Sequence, residues 1–295
     1  MKFLHYLLVS LSMFGSGLRA EVVPAPGAQA DDWVFLDNGK LRVGVLRSSG
    51  GALGFLGRSG DPRNFLNHFD RGRLIQQSYY GDADGSFWDK QAWRYNPVQG
   101  GDYRGKRPRL LELRAGANSI YTKSVPLHWA TGAELDECVF EQWISLEGGV
   151  VHARYQLSYR GGKTHKARHQ EIPAIFLDPS LATLVSYTGA APWTGAPLTR
   201  MSPGPTNEYF KMTENWVAYV DAKDFGVGAY VPAASEATCY RFRGGAGSDC
   251  SYVAPLTTFG LAPETRFSYE AYFALGPLAE LRAEFDAIRK ARERE

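Results

Sequence analysis

Residues 138–162 read CVFEQWISLEGGVVHARYQLSYRGG, two alternating runs joined by a turn centred on Gly149. In the second run Val150, His152, Arg154, Gln156 and Ser158 share one face, and Val151, Ala153, Tyr155, Leu157 and Tyr159 share the other. The first face is polar and the second is suited to a core. A period of two with one wet and one apolar face is the pattern of an antiparallel sheet packed on one side.

Outward from this hairpin the same pattern recurs. WVFLD and LRVGVLR flank Asn38-Gly39, a hairpin signal, and ALGFLGR follows. AIFLD, LATLVSYTG, NWVAYVDA, GVGAYVP, ATCYRFR and RFSYEAYFAL are further strand-like runs separated by Gly, Pro and Asp turns. From Pro277 the period changes. Leu278, Leu281, Phe285 and Ile288 recur at helical spacing, and KARERE solvates the end. No repeat and no interdomain linker interrupts the series. The expected fold is all-β: one large antiparallel β-sandwich over residues 33–295, closed by a C-terminal helix.

Residues 1–20 have the form of a secretory signal, with Lys2 ahead of the apolar FLHYLLVSLSMF and a cleavage point after Ala20. Residues 21–32, which include VVPAPGAQADD, read as a flexible leader. The expected location is therefore secreted or periplasmic. No later run is long enough for a spanning helix, so no membrane association is expected after cleavage. Three cysteines remain. Cys239 and Cys250 flank the glycine-rich RGGAGSD and either close that hairpin as a disulfide or, with Cys138, stay reduced in the core. No Cys or His spacing suggests a metal site, and neither metal nor cofactor is expected.

The chain of 295 residues is 44% hydrophobic and carries a net charge of +2 from 33 basic and 31 acidic residues, so no global field points to nucleic acid. Aromatics make up 13%, with 16 Tyr and 7 Trp, which suits both a β core and stacking on sugar rings. Two stretches concentrate polar and aromatic groups: DRGRLIQQSYY at residues 70–80 and WRYNPVQGGD at residues 93–102. Planar amides and guanidinium groups beside Trp and Tyr offer bidentate hydrogen bonds to vicinal hydroxyls or a uronate, with an aromatic face for the C–H side of the ring. Arg73, Gln77, Asn96 and Gln99 are the expected sugar ligands, and Trp93 and Trp216 the stacking groups. The competing structural reading has Asn96 and Gln99 satisfying loop backbone and Arg73 pairing with Asp70.

Acid/base candidates come from three places. In HKARHQEIPAIF, His169 and Glu171 are two apart, so an extended chain points both to one side. Glu214 precedes Asn215 and Trp216 at the start of an apolar run, and is expected opposite Glu171 as the second carboxylate that glycosidases need. Tyr80 completes the catalytic set. Trp193, in PWTGAP, is a loop aromatic able to meet a ligand, whereas His128 and Trp129 weigh as structural.

The ordering NGKLRVGVL, GALGFLG, LNHFDRGRLIQQSYY, the hairpin FEQWISLEGGVVHARYQL and ENWVAYVDAKDFGVGAYVP resembles the galactose-mutarotase-like β-supersandwich superfamily over most of residues 33–276. The resemblance implies a large concave sheet that binds a saccharide. Epimerases of this fold use a His acid and a Glu base with Arg and Asn near the sugar; lyases use Tyr or His as base with Arg, Asn or Gln on the uronate. The reading that follows is a carbohydrate-active enzyme cleaving glycosidic bonds in a polysaccharide or oligosaccharide by hydrolysis. Its alternatives are elimination on a uronate, aldose epimerisation, and glycan binding without catalysis.

Overall fold

The computed structural model describes residues 32–67, 73–245 and 249–294. The expected signal and all of the leader except Asp32 lie outside the described residues. Asp32 itself is buried, and its carboxylate accepts the Ser48 N–H at 2.8 Å.

Two antiparallel sheets form the body, and the alternation in each strand dictates how they meet. In spatial order the first sheet runs β1 (Trp33–Asp37), β2 (Leu41–Leu46), β3 (Leu53–Arg58), β4 (Ile75–Ser78), β13 (Arg168–Leu177), β20 (Cys250–Phe259), β19 (Glu236–Phe242) and β16 (Glu208–Lys211). The short strands β7 (Pro97–Val98) and β10 (Leu127–His128) attach beside β4. The second sheet runs β15 (Thr199–Met201), β14 (Thr183–Ser186), β17 (Trp216–Val220), β18 (Phe225–Tyr230), β21 (Thr265–Pro277), β12 (Val150–Tyr159), β11 (Cys138–Glu147), β9 (Ser119–Val125) and β8 (Arg109–Ala115). A separate hairpin, β5 (Ala83–Trp88) and β6 (Gln91–Arg94), stands apart from both.

Val43, Leu53, Ile75 and Ile175 of the first sheet and Phe140, Tyr155, Leu157 and Phe273 of the second belong to one buried cluster between them. Each such side chain contributes roughly 1.5–3 kcal/mol over its exposed state, which makes this layer the main source of stability. The fold class expected from the alternation is the one observed. Asn38-Gly39 turns β1 into β2, with Asn38 Oδ1 accepting the N–H groups of Lys40 and Leu41 at 3.1 and 3.0 Å.

The one α-helix among the described residues, α1 (Leu278–Arg292), lies on the outer face of the second sheet. Its Leu278, Leu281 and Phe285 pack with Trp216, Ala218, Val220, Tyr230 and Ala274, the residues that alternate with inward-facing Val217, Tyr219, Ala229 and Phe273. Gly228 permits the close approach, because a Cβ there would come within 2.8 Å of the Phe285 ring. No described helix is long and apolar enough to cross a membrane.

Of the two readings of Cys239 and Cys250, the reduced one holds and no disulfide joins them. In the β19–β20 ladder Cys239 faces Val253 and Cys250 faces Phe242, so the two are out of register by three positions. They also point to opposite faces, Cys239 into the inter-sheet core and Cys250 into the outer face. All three thiols are buried, and burial pushes those of Cys138 and Cys239 up to about 12.

One irregularity matters for the site. Along β13, Glu171 pairs with Leu256 of β20 and Ser78 of β4, yet the ladders to both neighbours slip by one residue before Ala174 and Ile175. This bulge absorbs one extra residue, so that Ile172, Ile175 and Leu177 all face the core while Ala174 and Phe176 face outward. Pro173, which donates no ladder hydrogen bond, is tolerated in a central strand because it sits here.

Candidate functional site

The outer face of the first sheet carries a cleft of about 530 Å³. Its floor is decided by the parity of RLIQQSYY. Ile75, Gln77 and Tyr79 point into the sandwich, whereas Gln76, Ser78 and Tyr80 line the cleft. Gln77 is thus not a sugar ligand. Its amide donates to the Glu141 carbonyl at 3.1 Å and its oxygen accepts the Tyr79 hydroxyl at 2.9 Å, all inside the protein. Arg73 does line the cleft, because it precedes the strand and escapes the alternation. Asp70, its partner in the competing structural reading, lies outside the described residues.

Glu171 is part of the floor, with 8% of its surface exposed. Its Oε1 accepts the Tyr80 hydroxyl at 2.9 Å and also the Tyr252 hydroxyl. Burial raises the carboxyl above its usual range, and hydrogen bonds from Tyr252, Ser78 and Tyr80 oppose that rise only in part. The tyrosines are pushed well up as well, by burial first and then by the adjacent Glu171 charge. Both hydroxyls therefore act as O–H donors to the Glu171 carboxyl.

Gln170, fully buried, sets the position of Tyr80. Its oxygen accepts the Tyr80 N–H at 2.7 Å, and its nitrogen donates to the carbonyls of Tyr80 and Phe259 at 3.0 and 2.9 Å. Gln170→Leu leaves these backbone groups without the amide, and a loss of about 1–3 kcal/mol is expected in denaturant unfolding. A change below a few tenths would show that Tyr80 is held by other means.

The β5–β6 hairpin forms one wall. Asp89 and Lys90 at its tip have φ of 48° and 61°, the two-residue turn with positive φ at both positions that matches strand twist. Trp88 meets Trp93 and Trp129 edge-on, with centroids 5.0 and 5.8 Å apart, and all three rings line the cleft. The hairpin is pinned below by His128. Its Nδ1 accepts the Ala130 N–H at 3.1 Å, which leaves the proton on Nε2 to be donated to Asp84 at 2.7 Å. Asn96 holds Trp93 by accepting its indole N–H at 3.3 Å and reaches the Tyr79 carbonyl at 2.8 Å.

Of the sequence-derived candidates, Tyr80, Glu171, Arg73, Trp93 and Asn96 come together around the cleft. Five others do not. Gln99 is buried between Gly50 and Gln142, its amide donating to the Gly50 carbonyl and to Gln142 at 3.2 Å each, as the structural reading had it. His169 shares the outward face of Glu171 but lies outside the cleft, 3.6 Å from Glu236. Gln77 faces inward, as described. Glu214 and Trp216 belong to the opposite outer face, beneath α1. There Glu214, fully buried, accepts two hydrogen bonds from Arg282 at 3.0 and 2.6 Å, the Trp216 indole N–H at 2.8 Å and the Trp193 N–H at 2.7 Å. The whole sandwich separates it from Glu171. Trp193 packs against the same helix-covered cluster, with Arg289 5.2 Å from its ring centroid.

Residues absent from the expected set supply much of the cleft: Gln76, Trp88, Trp129, Phe176, Tyr240 and Tyr252. Periodicity shows that Tyr240 and Tyr252 alternate, but not which face the sheet leaves uncovered. Besides Glu171, the carboxylate lining the cleft is Asp89, exposed at the hairpin tip. Among the described residues no group of three or more His, Cys, Asp or Glu side chains converges as a metal site.

No family model and no curated protein matches this chain. Solved structures do. A galactose mutarotase-like protein from Lactobacillus casei ATCC 334 aligns with a TM-score of 0.55 and 11% identity over 82% of this chain and 99% of its own. A putative aldose 1-epimerase from Escherichia coli K12 gives 0.53 and 11% over 82% and 98%. A galactose mutarotase related enzyme from Lactobacillus acidophilus gives 0.53 and 9% over 82% and 97%. At such identities the likeness concerns the fold, and the fold is the galactose-mutarotase-like sandwich expected from the order of its strands.

Proposed function

We propose that the cleft binds a saccharide and that Glu171 moves a proton at its anomeric centre, so that the protein interconverts sugar anomers. The observation that carries this reading is the single buried carboxyl held between two tyrosine hydroxyls on a tryptophan-walled floor. A carboxyl raised by burial holds and releases a proton closer to neutrality, as acid/base work requires. In its ionised form it takes the anomeric hydroxyl proton while the bond from C1 to the ring oxygen opens and water protonates that oxygen. After rotation about C1–C2 the steps reverse. The indole rings receive the C–H face of the sugar, and Ser78, Gln76 and Asn96 offer polar contacts to its hydroxyls.

The fold likeness to proteins described as mutarotases and aldose epimerases supports this reading over cleavage of a polymer. Hydrolysis by the pair Glu171 and Glu214 finds no support, because Glu214 is held by Arg282 beneath α1, across the sandwich from the cleft. The test follows anomer exchange in freshly dissolved α-D-glucose and α-D-galactose by polarimetry. A rise over buffer of about a hundredfold or more is expected. No acceleration, together with new reducing ends or an unsaturated product from a polysaccharide panel, would replace this function with cleavage.

A further inference from the structure

The cleft does not end at Glu171. On β13 the residue two positions earlier on the same face is His169, with 44% of its side chain exposed. Asn207, which lines the far side of the cleft, is followed two positions later by Tyr209 on β16, 57% exposed. Through the β20, β19 and β16 ladders Glu236 is level with Glu171, and Tyr209 is level with Ala254 and Thr238, so both lie across the sheet from Glu171 toward its β16 edge. Their side chains meet that of His169, for the His169 and Tyr209 rings lie 5.7 Å apart and His169 Nε2 is 3.6 Å from Glu236 Oε2.

We infer that His169, Tyr209 and Glu236 form a second sugar subsite, one unit beyond Glu171, and that the substrate is an oligosaccharide whose reducing-end unit occupies the cleft. This rests on the saccharide reading of the cleft and extends it. The chemistry of the shelf is that of a pyranose: an exposed aromatic face for the C–H side, with an imidazole and a carboxylate at its edge to exchange hydrogen bonds with hydroxyls. Its placement gives a role to a large aromatic side chain left exposed beside the cleft. His169 then contributes binding rather than proton transfer.

The test is isothermal titration of the whole protein with D-glucose and D-galactose, and with maltose, cellobiose and lactose. At least one disaccharide is expected to bind about tenfold more tightly than its monosaccharide, and Tyr209→Ala is expected to bring that ratio close to one. Leu111→Ser, an exposed change on β8 of the other sheet, serves as the control and should leave the ratio in place. Equal affinity for monosaccharides and all three disaccharides, or a ratio unchanged by Tyr209→Ala, overturns the second subsite while leaving the cleft as a sugar site. Absence of binding by every one of these sugars overturns the saccharide reading itself, and the subsite with it.

Discussion

Glu171→Gln is expected to lower anomer exchange by about two to four orders of magnitude while the folded protein still binds sugar. The amide keeps an oxygen to accept the Tyr80 and Tyr252 hydroxyls but can neither take nor return a proton. The same substitution should change how stability depends on pH. In the native state burial raises the Glu171 carboxyl above its unfolded value, so the folded protein binds the proton more readily than the unfolded chain. That contribution is complete below the unfolded value and is lost as pH rises through the folded one. Gln carries no such dependence, so thermal unfolding should favour the variant over the parent more at mildly alkaline pH than at acid pH. A retained exchange rate would remove Glu171 from the chemistry; a pH-independent stability difference would show that its carboxyl is not raised.

Glu214→Ala has the opposite profile. It should cost about 3–5 kcal/mol of stability, because Arg282, 16% exposed, would be left without its carboxylate along with two donors from Trp193 and Trp216. Burial alone would raise Glu214, but the hydrogen bonds from Arg282, Trp216 and the Trp193 backbone prevail and hold it below the usual carboxylate range. For a depressed carboxyl the stabilisation is present above the unfolded value and lost as pH falls through the folded one. Acid should therefore loosen α1 from its sheet. Denaturant unfolding and protease cleavage near the C-terminus measure both effects, and sugar binding by the surviving folded protein should stay unchanged. A cost below about 1 kcal/mol would mean that the pair is a surface-like contact after all.

These two glutamates also show what was readable in the sequence. Strand alternation and the helical period after Pro277 announced the sandwich and its helix because each is a local signal. The face on which a side chain lies was equally local: Val151, Ala153, Tyr155, Leu157 and Tyr159 all face the core as read. What was not local is which outer face stays open. Both sheets have apolar residues on both sides, and α1 covers the outer face of the second, so Glu214 and Trp216 had the composition of a site while serving as the seat of a helix. The outer face of the first sheet stays open over the cleft. In RLIQQSYY the alternation was right, but Arg73 stood outside it, and pairing Arg73 with Gln77 selected the buried set. Tyr252 and Trp129 were visible only as aromatics, because their convergence on Glu171 and Trp88 depends on contacts far apart in the chain.

The bulge of β13 has an evolutionary side. Its ladder to β20 is in order up to Glu171 and again from Ile175, and its ladder to β4 slips by the same one residue between Glu171 and Ala174, so the strand holds one residue more than its pairing needs. Loss of a single codon between Glu171 and Ala174 would restore strict alternation, keeping Ile175 and Leu177 in the core and every other pairing in place. Deletions within a central strand ordinarily turn half of it inside out. Here the loss of one residue beside Glu171 can reshape the ground under a ligand without rewriting the sandwich.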